Sequence, residues 1–114
     1  MAMNTPSSLT VTTGNDLAGH EIMQYLGIVR GIVVRSTGIG RGIIGGLRSL
    51  GGGNIPEYVA VCEEARQHAY QLMISNAAEL GADAIIAFRY DATEFMPGST
   101  EVLAYGTAVK IRGA

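Results

Sequence analysis

The sequence predicts an α+β fold: a mostly antiparallel sheet with two helices packed on one face, in the order β-β-α-α-β-β. Three observations predict it. Segments rich in β-branched and aromatic residues flank a central stretch of helical period, two before it and two after. The chain has 114 residues, the length of one domain. Hydrophobic residues make up 47% and charged ones 16%, below the roughly 25% of ordinary globular chains, so there is ample surface to bury and little charge to keep the chain open.

A single domain is read over residues 1–114, with 1–8, rich in Ser, Thr, Asn and Pro, as a flexible lead. Leu9-Thr10-Val11-Thr12 alternates and reads as a short strand, followed by turn chemistry in Thr13-Gly14-Asn15-Asp16. Glu21 to Arg35 carries Ile22, Tyr25, Ile28, Val29, Ile32, Val33 and Val34 and reads as a long strand. Gly27 and Gly31 mark bends or the close approach of another backbone; the alternative is two strands broken near Gly31.

Thr37 to Gly53 is glycine-rich. Ile39, Ile43, Leu47 and Leu50 fall on one helical face, so a short helix is expected, weakened by roughly 1 kcal/mol at each interior glycine. Asn54-Ile55-Pro56-Glu57 is a helix start, with Asn as N-cap, Pro in the first turn and an acid at the positive end of the dipole. This helix should run to Leu80 and stop at Gly81.

On a helical wheel Tyr58, Val61, Cys62, Ala65, Ala69, Leu72, Met73 and Leu80 form a core stripe. Val59, Tyr70, Ile74 and Ala77 form a second apolar flank, expected to face a neighbouring subunit. Ala84 to Tyr90 reads as a buried strand, Met96-Pro97-Gly98-Ser99 as a loop, and Glu101 to Arg112 as a closing strand.

Composition excludes several function classes. A net charge of −2 offers no basic field for a phosphate backbone, so nucleic acid is not an expected partner. No apolar run approaches the roughly 18 residues of a membrane span, and Met1 to Ser8 lacks the pattern of a signal peptide. One cysteine, Cys62, forbids an internal disulfide and fits a reducing compartment, so a cytoplasmic location is expected. Eight basic and ten acidic residues cover a monomer thinly, and the expected partner is the chain itself.

Four segments in order resemble the YbjQ family, a group of small proteins described as heavy-metal-binding. They are Tyr25-Leu26-Gly27-Ile28-Val29-Arg30-Gly31, the Gly52-Gly53 helix entry followed by Tyr58 and Ala65-Arg66, Leu80-Gly81-Ala82-Asp83-Ala84-Ile85-Ile86, and Gly106-Thr107-Ala108-Val109-Lys110. The resemblance runs from about Leu9 to Arg112. It implies a subunit that assembles as a ring-shaped pentamer, with no established enzymatic activity. The departures remove charge. Asn54-Ile55 stand where the family tends to have Arg-Ser, and Val59 where an acid is common. Only Asp91 remains of a run of two aspartates and a glutamate, with Arg89, Ala92 and Thr93 at the other places.

Candidate chemistry is sparse. Glu64 and His68, four apart on one helix face, are the metal candidates, but two ligands do not close a tetrahedral site, which wants four, or three and water. Cys62 lies about 120° round the helix from His68 and reads as a small buried hydrophobe. Gly40-x-Gly42-x-x-Gly45 matches a dinucleotide fingerprint, yet the parallel strand and acid that should follow are missing. No nucleophile has a base and an orienter. The reading is therefore a non-enzymatic, cofactor-free cytoplasmic homo-oligomer. Its alternatives are heavy-metal binding at subunit interfaces and small-molecule binding at residues 38–53.

Overall fold

The structure is a computed structural model, and it describes residues 9–36 and 56–113. Its elements are β1 (Thr10–Val11), β2 (His20–Ser36), α1 (Pro56–Glu79), β3 (Ala84–Met96) and β4 (Ser99–Gly113). They form a four-stranded sheet in the order β1-β3-β4-β2, with α1 laid mainly across β2 and β4.

The class is α+β, but the expected architecture is corrected. The order among the described residues is β-β-α-β-β, with one helix rather than two packed on the sheet. The helix expected over Ile39–Leu50 falls outside the described residues. The sheet is mixed: β1 pairs in parallel with β3, while β2–β4 and β3–β4 are antiparallel. The parallel pair arises because β1 and β2, consecutive in sequence, sit on opposite sides of the β3–β4 pair. With only two residues, β1 cannot form a stable hairpin of its own; it binds the start of β3 instead, and the Thr12 N–H continues the ladder to the Ile85 carbonyl at 3.0 Å.

The long strand from Glu21 to Arg35 is one strand, not two broken near Gly31, and both of its glycines have a physical role. Gly27 takes φ +121° at a register shift against β4, a bulge that an L side chain would strain. Gly31 is where the helix sits down: a Cβ built there would lie 2.1 Å from the Ala69 carbonyl oxygen and 2.6 Å from the Met73 nitrogen. Small residues on both sides allow this, Ala65 and Ala69 from the helix and Gly31 from the strand. The Asn76 side-chain amide then donates to the Arg30 carbonyl at 2.7 Å, satisfying part of the edge backbone of β2.

The end of α1 follows the sequence expectation at Gly81. Gly81 has φ +78°; its N–H donates to Ala78 and the Ala82 N–H to Ala77, the two bonds of a Schellman cap. Ala77 and Ala82 are both in the core, which supplies the accompanying apolar contact.

The main core lies between α1 and the sheet: Val29, Val33, Ala65, Ala69, Met73, Ile74, Ala77, Ile85, Val102, Ala104 and Ala108. The helix has turned on its axis relative to the expected stripe, by about 60° on the wheel. Leu72, expected in the core, is thereby exposed; Cys62 and Leu80, also expected there, are exposed because they stand near the two ends of α1, beyond the buried run from Ala65 to Ala77. Ile74 and Ala77, expected against another subunit, are buried in this chain's own core. Apolarity alone centres the stripe on its largest side chains. Close approach at Gly31 instead selects the line of alanines, and that rotates the helix.

A smaller cluster of Ala84, Ile86 and Val109 lies on the opposite sheet face, packed by Leu17, Ile22 and Ile111. The hairpin also differs from expectation. β3 continues to Met96, six residues past Tyr90, and the loop contracts to a Pro97-Gly98 turn in which Gly98 takes φ +78°. That positive φ suits the third position of a type II turn.

Candidate functional site

Three small constellations stand on this frame. The first joins two of the segments that carry the family resemblance. Asp83 follows the Schellman cap, where the chain turns from α1 into β3. Its carboxylate accepts the Ile111 N–H at 3.0 Å, while Lys110 Nζ donates to the Gly81 carbonyl at 2.8 Å. Leu80–Ile86 and Gly106–Lys110 are therefore stitched together by their polar residues, and the role of Asp83 and Lys110 here is to close a corner.

The second is a bulge in β3. Between Ile86 and Arg89 the register shifts, and Ala87 adopts φ +57°, a left-handed conformation that costs a non-glycine residue roughly 1–2 kcal/mol. The segment after β1 compensates: Ala87 N–H donates to the Gly14 carbonyl at 2.8 Å and Phe88 N–H to Thr12 at 3.0 Å. Arg89 clamps both sides, donating from Nη1 to the Thr13 carbonyl at 3.0 Å and the Phe88 carbonyl at 2.8 Å. Opposite the bulge stands Gly106, where a Cβ would meet Ile85 Cγ2 at 2.5 Å.

The third is aromatic. Tyr70 of α1 meets Phe88 edge to face at 5.5 Å between ring centroids, and Phe88 meets Tyr90 at 4.8 Å. The Arg66 guanidinium lies over the Tyr90 ring, 5.6 Å from its centroid. The Tyr90 hydroxyl is held above its ordinary value, chiefly by burial, with Tyr70 and Glu63 adding to the shift and Arg66 opposing it.

The metal candidates lie apart from all three. Glu64 and His68 are exposed on α1, and Cys62 is a free, exposed thiol rather than the buried hydrophobe expected. Among the described residues no three His, Cys, Asp or Glu side chains converge as a metal site requires. The donors of one described chain thus do not fit a closed heavy-metal centre. The glycine-rich segment 38–53 lies outside the described residues. The Arg89 clamp and the Arg66–Tyr90 contact were missed in the sequence. The spacing of Phe88 and Tyr90, two apart on a strand, is the one signal that could have placed those rings together.

Fold and constellations together define a small α+β protein whose polar contacts among the described residues close corners and bulges. Comparison with known proteins agrees on the fold. A crystal structure of a protein of unknown function of the DUF74 family, from Pediococcus pentosaceus, superposes with a TM-score of 0.59 at 18% identity, covering 91% of this chain and 98% of that one. Sequence relatives are nearer. A UPF0145 protein of Legionella pneumophila (strain Corby) is 56% identical over 104 residues, 91% of this chain and 99% of the relative. A UPF0145 protein of Chromobacterium violaceum is 54% identical over 101 residues, 89% of this chain and 86% of the relative. The model of the YbjQ family, described as "Putative heavy-metal-binding", matches residues 9–112, and the chain belongs to that family.

Proposed function

We propose that the protein is a non-enzymatic, cytoplasmic homo-oligomer that works as a closed ring, five-membered as the family resemblance implies. One observation carries the reading. Among the described residues nothing covers the sheet face turned away from α1 along the middle of β2, where Ile28 is 74% and Tyr25 68% exposed. Ile32 and Val34 continue the same strip, since in register they stand beside Leu103 and Glu101 on that side of β4. An exposed apolar strip, broken by Arg30 alone, on a chain so sparsely charged favours coverage by another copy. Light scattering of the tag-free protein at micromolar concentration tests it. A mass near five chains is expected; a single-chain mass would refute the oligomer, and a dimer the ring.

The family's description favours a second reading, heavy-metal binding at subunit interfaces. Glu64 and His68 offer two donors on an open helix face, and a symmetric ring would bring further copies to complete the set. Elemental analysis of protein purified without a metal-affinity tag tests this. At least one bound metal ion per ring, lost in Glu64→Ala and His68→Ala, is expected; less than one per ring refutes it.

A further inference from the structure

We propose that the ring is built by an arm: the β3–β4 tip of one copy lies on the bare β2 face of the next. This rests on the ring reading above and names the two surfaces that meet. The arm is Tyr90 to Met96 with its Pro97-Gly98 turn. From Arg89 to Pro97 every residue is exposed, because α1 packs over β2 and β4 and barely reaches β3. Phe95 and Met96 are 54% and 53% exposed at its end. Among the described residues nothing packs over these two side chains.

The arm cannot cover its own protomer's strip. In register, Ser36 stands opposite Ser99 at the tip, so Ile28 lies eight residues back along β2, about 27 Å away on stiff paired strands. Ile32 and Val34 stand level with Asp91 and Thr93 of the arm, but β4 lies between them, and a strand cannot fold onto the face of its own sheet; arm tip and strip are therefore two different surfaces. A contact between them is head-to-tail, the kind that closes rings.

Charge matches as well. Arg30 interrupts the strip, standing on the same face as Ile28 and Ile32, and Asp91 of the arm stands beside Leu103 on the face away from α1, while Glu101 beside Val34 is an acid of the strip's own side. The exposed apolar area of Tyr25, Ile28, Ile32 and Val34 together with Phe95 and Met96 comes to roughly 700 Å², taking about 200 Å² for each large side chain. With the polar share of an ordinary interface this is about 1,200 Å² per junction, the lower end of stable interfaces. Each subunit in a ring makes two such junctions.

The test uses two variants of the full chain, Phe95→Lys to spoil the arm and Ile28→Lys to spoil the strip, with circular dichroism to show that each is folded. Each alone should fall from ring mass to single-chain mass. Mixed one to one, they should form a heterodimer and nothing larger, since only one intact arm meets one intact strip. Should a lysine variant fail to fold, Phe95→Ser and Ile28→Ser replace it. If either folded variant keeps full ring mass, or the mixture stays monomeric, the arm-on-strip contact is refuted while the oligomer stands. A monomeric wild type refutes the oligomer itself.

Discussion

Replacing Gly31 with alanine tests the packing on which the fold rests. In an open strand this change should stabilise by roughly 0.5–1 kcal/mol, because alanine has less backbone freedom to lose on folding. Here the added Cβ would meet the Ala69 carbonyl oxygen at 2.1 Å, the Met73 nitrogen at 2.6 Å and Leu72 Cβ at 2.8 Å. Two of the three are helix backbone, which cannot swing aside as a side chain can. To restore an ordinary 3.4 Å contact the helix must retreat by about 1.3 Å, the difference from 2.1 Å. Gaps of about 1 Å already forfeit up to half of the dispersion energy across a seam. This seam joins Ala65, Ala69 and Met73 to Val29 and Val33, so much of the main core loosens together. Overpacking costs of about 1–3 kcal/mol apply at their upper end, for a net loss of about 2–3 kcal/mol. For a chain of this size that lowers Tm by about 10 °C. Urea unfolding at one fixed protein concentration, followed by far-ultraviolet circular dichroism, measures it. Gly113→Ala is the control, since its Cβ would meet only His20 ring atoms at an ordinary 3.9 Å. A Gly31→Ala protein as stable as wild type would refute the claim that helix and strand backbones touch there.

Three further predictions follow from burial. Ile74→Glu should unfold the chain rather than merely dissociate an assembly, since Ile74 is fully buried and a carboxylate there has no partner; a loss of at least about 4 kcal/mol is expected, and a folded monomer would contradict it. Cys62 should react with a thiol reagent at the rate of an exposed cysteine in the native protein, and Cys62→Ala should change stability by less than about 0.5 kcal/mol; a thiol protected until denaturant is added would place it elsewhere. Tyr90, with its folded value raised above 10.0, keeps its proton in the fold after an unfolded tyrosine has lost it, so its contribution is intact below about pH 10 and falls as pH rises through the folded value. Tyr90→Phe should therefore flatten the loss of stability between about pH 9 and 11, and urea midpoints that fall as steeply as in wild type would show the hydroxyl to be unshifted.

Much of the local structure was legible in the sequence because it rests on backbone chemistry that single residues dictate. Pro56 and Gly81 bracket the long helix as expected, and Gly81 forms its cap, while the Asn54 N-cap lies outside the described residues. Gly27 and Gly31 were read together as bends or close approaches, and they are a bulge and a helix seat. The candidate site was less legible: Glu64 and His68 do share one exposed helix face, but whether further donors among the described residues converge on them cannot be read from spacing.

Tertiary structure alone decided which face of the helix is buried, how far β3 runs and which strands are neighbours. Hydrophobicity along a helix marks an apolar sector, but the partner's shape chooses the line within it. A glycine on β2 selected alanines over Leu72 and so turned Ile74 inward; the thiol of Cys62 is exposed because it stands near the start of α1, ahead of Ala65 where the seam begins. Tyr90 to Met96 lacks a buried face to give it a pattern; it is held as a strand by hydrogen bonds to β4, which sequence periodicity does not record. The parallel seat of the two-residue β1 is likewise a pairing made by residues more than 70 apart in the chain, and nothing local to Thr10 and Val11 specifies it.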